Sequence, residues 1–259
     1  MSLVKPAPSA IILNASDVLS RRAAPSFMAL ALAAGSVNVI GLIHCRRYVS
    51  HVSGTVTRIG YDFGKWTLMF EYLCVLLAFI AGAMASVLAL QLQVQRGRAP
   101  RNALGLFAVS TLLAAIALAG KLNVFGASGG RTEEPVDFAL MALLSFAMGL
   151  MNSTVGSSNA LGVRPAHVSG SAADIGVHVG LALIHSGAER QRAVRRAALA
   201  SGLVAAFATG AALIVPFQER YDLVALLLPS LVIAGATFRS FRPRAQAQAA
   251  TDATVSRAT

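Results

Sequence analysis

Charged residues are scarce in this sequence of 259 residues: they make up 13% of it, whereas hydrophobic residues make up 56%. Soluble domains average about 25% charged residues, so the composition argues against a soluble protein. Acidic residues are the scarcer kind, with 11 Asp and Glu against 22 Lys and Arg. The basic residues stand in short clusters between long apolar runs, which is typical of the loops of a polytopic membrane protein. No basic helix or aromatic-interleaved patch indicates binding to nucleic acid.

Cysteine is nearly absent as well. Cys45 and Cys74 have no C-x-x-C spacing, so no disulfide framework or zinc site is predicted. The five histidines do not form an H-E-x-x-H pattern, and the sequence contains no Walker loop or dinucleotide fingerprint. His51 and Ser53 cannot be read as a base and a nucleophile from their local spacing. We therefore expect no enzymatic activity, no metal and no cofactor.

Six apolar stretches approach or exceed the roughly 20 residues that a membrane-spanning helix needs. They lie at about 25–44, 66–92, 103–120, 136–155, 194–217 and 221–238. Two further stretches, 49–64 and 166–185, are too polar to qualify cleanly, so the sequence leaves six and eight crossings open. The first 23 residues do not resemble a cleaved signal peptide, because prolines and charges interrupt any apolar core.

The distribution of Lys and Arg predicts the orientation. With six crossings and the N-terminus inside, the inner segments hold 15 of the 22 basic residues. The positive-inside rule then places both termini in the cytoplasm, and it does so for eight crossings too. We predict a multi-pass protein of the bacterial inner membrane, with the lipid bilayer as its surroundings.

An internal repeat is the strongest pattern in the sequence. The tetrapeptide His-Val-Ser-Gly occurs at 51–54 and again at 167–170. A Gly-x-x-Asn motif precedes each copy, ending at Asn38 and at Asn152, and an Ala-Phe-x-x-Gly-Ala motif follows each, at 78–83 and 206–211. Three motifs in the same order indicate a duplication. The predicted organisation is a tail (1–23), repeat one (24–125), a linker (126–135), repeat two (136–238) and a second tail (239–259).

The predicted fold is an all-α transmembrane bundle in which each repeat has three full spans and one short polar helix. If the polar helix does not cross the membrane, the two repeats insert in opposite orientations; if it crosses, they are parallel. About 15 residues from Val49 to Phe63 would make a helix of roughly 22 Å, too short for the hydrocarbon core. We therefore favour inverted repeats, with the two short helices surrounded by protein.

Superposing the two His-Val-Ser-Gly copies places Arg58 opposite Asp174 and Asp62 opposite His178. Within each copy the two residues are four apart and share one helix face. Because an ionisable group at membrane depth costs about 2.5–3.5 kcal/mol on insertion scales, such groups usually face a cavity or one another. We predict that these two pairs meet at the centre. The alternative is that they only staple the structure.

The Ser-Gly steps at 53–54 and 169–170 suit the start of a short helix, whose free N–H groups would point at the centre. The predicted central polar site comprises His51, Ser53, Gly54, Arg58, Asp62, His167, Ser169, Gly170, Asp174 and His178. Gly60, Gly64, Gly176 and Gly180 are predicted to pack helices closely or to line the site. Asn38 and Asn152 either line the same centre or tie helices together.

These motifs resemble the YoaK family, bacterial membrane proteins catalogued as a domain of unknown function. The resemblance spans roughly residues 24–238 and rests on the Gly-x-x-Asn motifs, both His-Val-Ser-Gly segments and the helix motif at 78–83. Asn38 stands where family members often look acidic, and Thr55-Val56 replaces a more usual Gly-Asn-like step. The resemblance implies an integral membrane location and about six spans, but no substrate.

The functional hypothesis is a small-solute transporter or channel, with Asp62, Asp174 and His178 as proton-coupling groups and a small solute or proton as its partner. Short polar segments at corresponding positions of two repeats are the best sequence indication of such a site. The main alternative is a structural or interaction protein without transport activity. A third possibility, a membrane-embedded hydrolase or metal enzyme, would need a metal or a reactive serine.

Overall fold

The computed structural model describes residues 18–20, 23–98, 101–126 and 135–240. Its helices, in chain order, are α1 (Ala24–Cys45), α2 (Val52–Tyr61), α3 (Trp66–Gln95), α4 (Asn102–Lys121), α5 (Pro135–Ser158), α6 (Val168–Ile184), α7 (Gly187–Tyr221), a 3-10 helix (Asp222–Leu226) and α8 (Leu227–Ser240). The predicted tails 1–23 and 239–259 and the linker 126–135 lie almost wholly outside the described residues.

Five helical stretches in these residues are long and apolar enough to cross a membrane. They are α1, α3, α4, α5 and the stretch 187–239, which contains the last two predicted spans. The predicted bounds of α1, α3, α4 and α5 are confirmed to within three residues. The helix that contains the next predicted span, α7, begins at Gly187, seven residues before the predicted start of that span. The cluster Arg190, Arg192, Arg195 and Arg196, which the sequence analysis placed between spans, is therefore helical.

Helices α1 and α7 approach until their backbones touch. A methyl group on Gly35 of α1 would meet the carbonyl oxygen of Phe207 in α7, and one on Gly210 of α7 would meet that of Leu32. The hydroxyl of Ser36 donates a hydrogen bond to the Gly210 carbonyl at 2.9 Å. Small residues at these crossings let the helices gain dispersion contacts that larger side chains would prevent.

Helices α3 and α5 form a second pair with the same type of contact. A methyl group on Gly82 would meet the carbonyl of Phe146, and one on Gly149 would meet that of Phe79. These glycines belong to the same two motifs that supply Gly210 and Gly35 to the first pair. The motifs that recur in the sequence are thus the places where the helices cross.

The directions of the helices follow from contacts at their ends. Helix α7 runs parallel to α1, because Gly35 lies at Phe207 and, further along both helices, His44 Nδ1 lies 3.1 Å from Asp222 Oδ1. Helix α5 runs antiparallel to α1, because the thiol of Cys45 at the end of α1 lies 3.7 Å from the Asp137 carbonyl near the start of α5, whereas Ser145, further along α5, bonds to Val49 at the level of Asn38, earlier in α1. The first helices of the two predicted repeats therefore point in opposite directions.

The chain reverses at Asp222, whose φ angle is 50°. Helix α8 then runs back along α4, since Leu223 packs on Gly120 and the rings of Phe238 and Phe107 lie 4.9 Å apart at the other end. The stretch 187–239 therefore consists of two helices, α7 and α8, that run in opposite directions.

The short helices α2 and α6 lie on the outside of the bundle. Helix α2 packs against α3 and helix α6 against α7, in each case the helix that follows. Helix α2 has no buried residue, and α6 buries only Ser171. The prediction that protein surrounds these segments is therefore wrong. Each forms a hairpin with the following helix, and the core of the bundle is already filled by the long helices.

Candidate functional site

After α1 the chain folds back along the helix it has just left. The side-chain oxygen of Asn38 accepts hydrogen bonds from the backbone N–H groups of Val49 and Ser50, each at 3.0 Å. Asn38 lies seven residues before the end of α1, which is about 10 Å along a helix. From α5, the Ser145 hydroxyl donates to the Val49 carbonyl at 2.7 Å. Residues 46–51, the first fold-back segment, thus carry the start of α2 inward from the end of α1.

A second fold-back segment, residues 159–167, follows α5. The side-chain oxygen of Asn152 accepts a hydrogen bond from the backbone of Ala166 at 3.0 Å. Asn159, which the sequence analysis missed, donates to the carbonyls of Val155 and Val163 and accepts from the Val163 N–H at 3.0 Å. Asn38 and Asn152 therefore each bind the backbone of the segment that follows their own helix, rather than a second helix.

The spacing within His-Val-Ser-Gly has a steric reason. His51 and His167 are the N-cap residues of α2 and α6, and each imidazole ring lies against the glycine three residues later. A methyl group on Gly54 would lie 2.8 Å from the ring of His51, and one on Gly170 would lie 2.6 Å from His167 Nδ1. Any larger residue would displace the ring from the first turn of the helix.

The serines of this motif are not N-caps, so that prediction is wrong. The helices begin at Val52 and Val168, which places Ser53 and Ser169 one residue inside them, with exposed side chains. The predicted close packing at the later glycines is also wrong. A methyl group would meet nothing within 4 Å at Gly60, Gly64, Gly176 or Gly180. Because α2 and α6 lie outside the bundle, no other described helix packs on that face.

A cleft of about 440 Å³ lies between the second fold-back segment, α6 and α7, and we name it the α6 cleft. Its polar lining comprises Arg164, His167, Ser171, Asp174, His178 and Arg196. The stem of Arg164 lies against the backbone of α5, where a methyl group on Gly156 would come within 3.1 Å of its Cγ. Leu161, Leu199 and Leu203 line the apolar side.

A corresponding cleft of about 240 Å³, the α2 cleft, lies between the first fold-back segment, α2 and the start of α3. It is lined by Arg46, Arg47, Tyr48, His51, Gly54, Thr55, Arg58, Tyr72 and Met141. The guanidinium of Arg47 lies 4.7 Å from the ring centre of Tyr72. This cation–π contact fixes the position of Arg47. The α2 cleft follows α1 and the α6 cleft follows α5, so the antiparallel course of these helices places the two clefts towards opposite ends of the bundle.

The predicted pairing of Arg58 with Asp174 and of Asp62 with His178 is wrong. Arg58 lies 3.9 Å from Asp62 in its own helix hairpin. Asp174 has no ion pair in the described part of the chain, and His178 Nδ1 is buried without a hydrogen-bond partner there. The physical reason is that α2 and α6 each pack on the next helix, so their polar faces do not meet at the centre.

Asp62 belongs to the turn between α2 and α3. The residue is 4% exposed, and its carboxylate accepts a hydrogen bond from the Lys65 ammonium at 2.8 Å. This hydrogen bond is the main reason that the pKa of Asp62 lies below its ordinary value of 3.8. Desolvation opposes the shift, whereas the charges of Lys65, Arg58 and Arg47 reinforce it. Asp62 therefore stays ionised as a structural anchor.

Arginine, imidazole and aromatic side chains are the main polar groups that line the two clefts. Among the described residues no group of three or more His, Cys, Asp or Glu side chains is placed to hold a metal ion. Sequence reasoning identified the histidines, Arg58, Asp174 and His178, but missed Arg47, Arg164, Arg196 and Tyr72. Those residues come from the fold-back segments and the long helices, and only packing brings them to α2 and α6.

The exposed surface identifies the class of protein. Along α3 alone, Leu77, Ile80, Met84 and Leu88 are each at least 50% exposed. Such a continuous apolar surface on several long helices is that of a multi-pass helical membrane protein.

The chain belongs to the DUF1275 family, which is described as proteins of unknown function and matches residues 26–238. This match confirms the family resemblance found in the motifs. Neither a curated protein nor a solved structure matches the chain.

Proposed function

We propose that this protein is a small-solute transporter of the bacterial inner membrane, built from two inverted halves with a binding cleft in each. One observation carries the proposal: corresponding residues line two clefts towards opposite ends of the bundle. His51 and Gly54 line the α2 cleft, and their counterparts His167 and Gly170 line the α6 cleft. A transporter needs access to its solute from both sides, and the proposal assigns one cleft to each side of the membrane.

The helix directions support inverted halves. Helices α1, α3 and α4 would form one half, and α5, α7 and α8 the other. Helix α1 is antiparallel to α5, and the two halves pack through the matched pairs α1–α7 and α3–α5. With the reversal at Asp222, this arrangement gives six passes and places the chain ends on one side. Rocking of one half against the other would then expose each cleft in turn.

Asp174 and His178 are the candidates for proton coupling in this proposal. Both line the α6 cleft; Asp174 has no ion pair in the described chain, and His178 Nδ1 is buried there without a hydrogen-bond partner. Asp62, which the sequence analysis grouped with them, is better placed as an anchor because Lys65 and Arg58 hold it ionised. In this proposal, the proton-coupling groups therefore belong to the second half alone.

The test is solute flux in proteoliposomes containing the purified protein. We expect at least one class of small solute to move above background, and Asp174→Asn to reduce that flux. Glu219→Gln is the matched control, because Glu219 is an exposed acidic residue that does not line either cleft. Background flux for every solute class, from protein that remains folded, would contradict the proposal.

Membrane orientation is tested separately by labelling. In a variant without Cys45 and Cys74, Arg98→Cys introduces a thiol in the exposed turn between α3 and α4. We expect an impermeant maleimide to label it only from the cytoplasmic side. Labelling from the periplasm would contradict the proposed orientation, with both termini in the cytoplasm.

A structural or interaction role is the second candidate, and the exposure of α2 favours it. A helix with no buried residue and an exposed Arg58 offers a polar surface to a partner. In that case apolar residues of similar volume at His51, Arg58, Asp174 and His178 would affect stability alone. A partner would also co-purify in stoichiometric amount, and no flux would be found.

A further inference from the structure

We infer that both clefts bind the carboxylate group of a small organic monoanion, an inference that rests on the proposed transport function and names its substrate class. The charge of the lining is the first reason. The α2 cleft is lined by Arg46, Arg47 and Arg58 and by no acidic residue, and the carboxylate of Asp62, 3.9 Å from Arg58, lies outside the lining. In the α6 cleft Arg164 and Arg196 outnumber the single carboxylate of Asp174. An anion is therefore the ligand that both clefts favour.

Membrane topology does not explain these arginines. The positive-inside rule accounts for Lys and Arg on the cytoplasmic side only. The two clefts lie towards opposite ends of the bundle, so whichever end is cytoplasmic, the other carries arginines that the rule does not require. Their presence in a cleft at both ends points to a ligand.

Packing contacts hold parts of two of the arginine side chains. The Arg47 guanidinium stacks on Tyr72, which is 1% exposed, and also lies 6.0 Å from the ring centre of Phe138. The stem of Arg164 occupies the space that Gly156 leaves open on α5. The planar guanidinium of an arginine has paired N–H donors whose geometry matches a carboxylate.

The remaining lining selects an organic anion over an inorganic one. Leu161, Leu199 and Leu203 form an apolar side of the α6 cleft, and Tyr72 and Met141 do so in the α2 cleft. Small-molecule sites combine such apolar walls with a few polar groups. Asp174 would repel a second negative charge on the ligand, which favours a monoanion.

The experiment compares three carboxylates with their neutral amides: acetate with acetamide, lactate with lactamide and benzoate with benzamide. Benzylammonium serves as the cationic analogue. Thermal unfolding of the purified protein in detergent at constant pH and ionic strength reports binding. We expect at least one carboxylate to raise the unfolding temperature more than its amide does, and benzylammonium to give no shift. The inference is overturned if no carboxylate exceeds its amide, or if the cation is equally effective.

Arginine variants identify where the ligand binds. We expect Arg164→Gln to weaken carboxylate binding about tenfold or more, as the loss of a charged hydrogen-bond donor implies. Arg190→Gln is the control, because Arg190 is an exposed arginine of α7 that does not line either cleft. Arg47→Gln tests the α2 cleft independently, should Arg164→Gln fail to fold. Equal weakening by Arg190→Gln would show that binding responds to the net positive charge of the protein and not to the cleft, and would overturn the inference.

Flux measurements separate the two proposals. Carboxylate binding without movement of any solute would leave the anion site standing and contradict transport. Movement of neutral or cationic solutes with no preference for carboxylates would support transport and contradict the anion site.

Discussion

Ser110 and Ser230 exchange a reciprocal pair of hydrogen bonds between α4 and α8. Each hydroxyl donates to the other residue's backbone carbonyl at 2.9 Å, and both serines are buried. A reciprocal contact is what a two-fold relation between two elements produces. Because α4 and α8 are the last helices of the two proposed halves, this pair supports the inverted arrangement from residues outside the motifs.

Replacing either of these serines by alanine should destabilise the protein slightly. Hydrogen bonds between membrane helices average about 0.6 kcal/mol, so Ser110→Ala and Ser230→Ala should each cost about that much. The double variant should cost less than twice as much if the two bonds support one another. Unfolding in a graded detergent mixture, arranged as a double-mutant cycle, measures this coupling. Strict additivity would show that the two bonds are independent.

Glycine-to-alanine substitutions should separate the helix crossings from the outer helices. Gly149→Ala and Gly35→Ala place a methyl group against a backbone carbonyl, which cannot move aside, so each should cost about 3 kcal/mol, the upper end of the usual range for overpacking. Gly176→Ala is the control, since nothing lies within 4 Å of its added methyl group. Thermal unfolding and the yield of monodisperse protein are the measurements. Equal losses at Gly149 and Gly176 would contradict the described packing.

Asn38 should tolerate aspartate but not leucine. Only its side-chain oxygen is used, as the acceptor from Val49 and Ser50, and a carboxylate offers the same acceptor. This also gives a physical reason why an acidic residue suits this position. Asn38→Leu leaves two buried N–H groups without acceptors, at about 1–3 kcal/mol each. Hydrogen exchange of residues 49 and 50 should accelerate in the leucine variant alone. Equal exchange in both variants would contradict the role of Asn38.

The ion pair of Asp62 should give a pH-dependent difference in stability. Because its folded-state pKa is lowered, mainly by the Lys65 hydrogen bond, the stabilisation is present above the unfolded pKa of about 4 and is lost as pH falls through the folded value. Lys65→Met should therefore lower the unfolding temperature at pH 6–8, and the difference should shrink below about pH 4. Lys121→Met, at the exposed end of α4, should show no such dependence. An unchanged difference at low pH would exclude this ion pair as the cause.

The long helices were predictable because a membrane span needs a long apolar run, and such a run is local in sequence. The bounds of α1 and α3 follow directly from it. The corresponding positions of Asn38 and Asn152 were also visible from the repeat. The residue that Arg58 contacts was not predictable, because superposing two copies of a sequence motif shows which positions correspond but not which side chains touch. Arg58 and Asp174 do occupy matching positions, yet they line different clefts.

Composition, hydropathy and motif order are properties of the chain alone, so they were enough to predict the membrane class, the family, the main spans and the two recurring His-Val-Ser-Gly segments. The position of α2 and α6 outside the bundle, and the approach of Arg47 and Arg164 to them in separate clefts, became visible only in three dimensions. These relations depend on which helix faces pack against one another in the core. The glycine crossings of α1 with α7 and of α3 with α5 bring the long helices together so closely that the polar helices have no place between them.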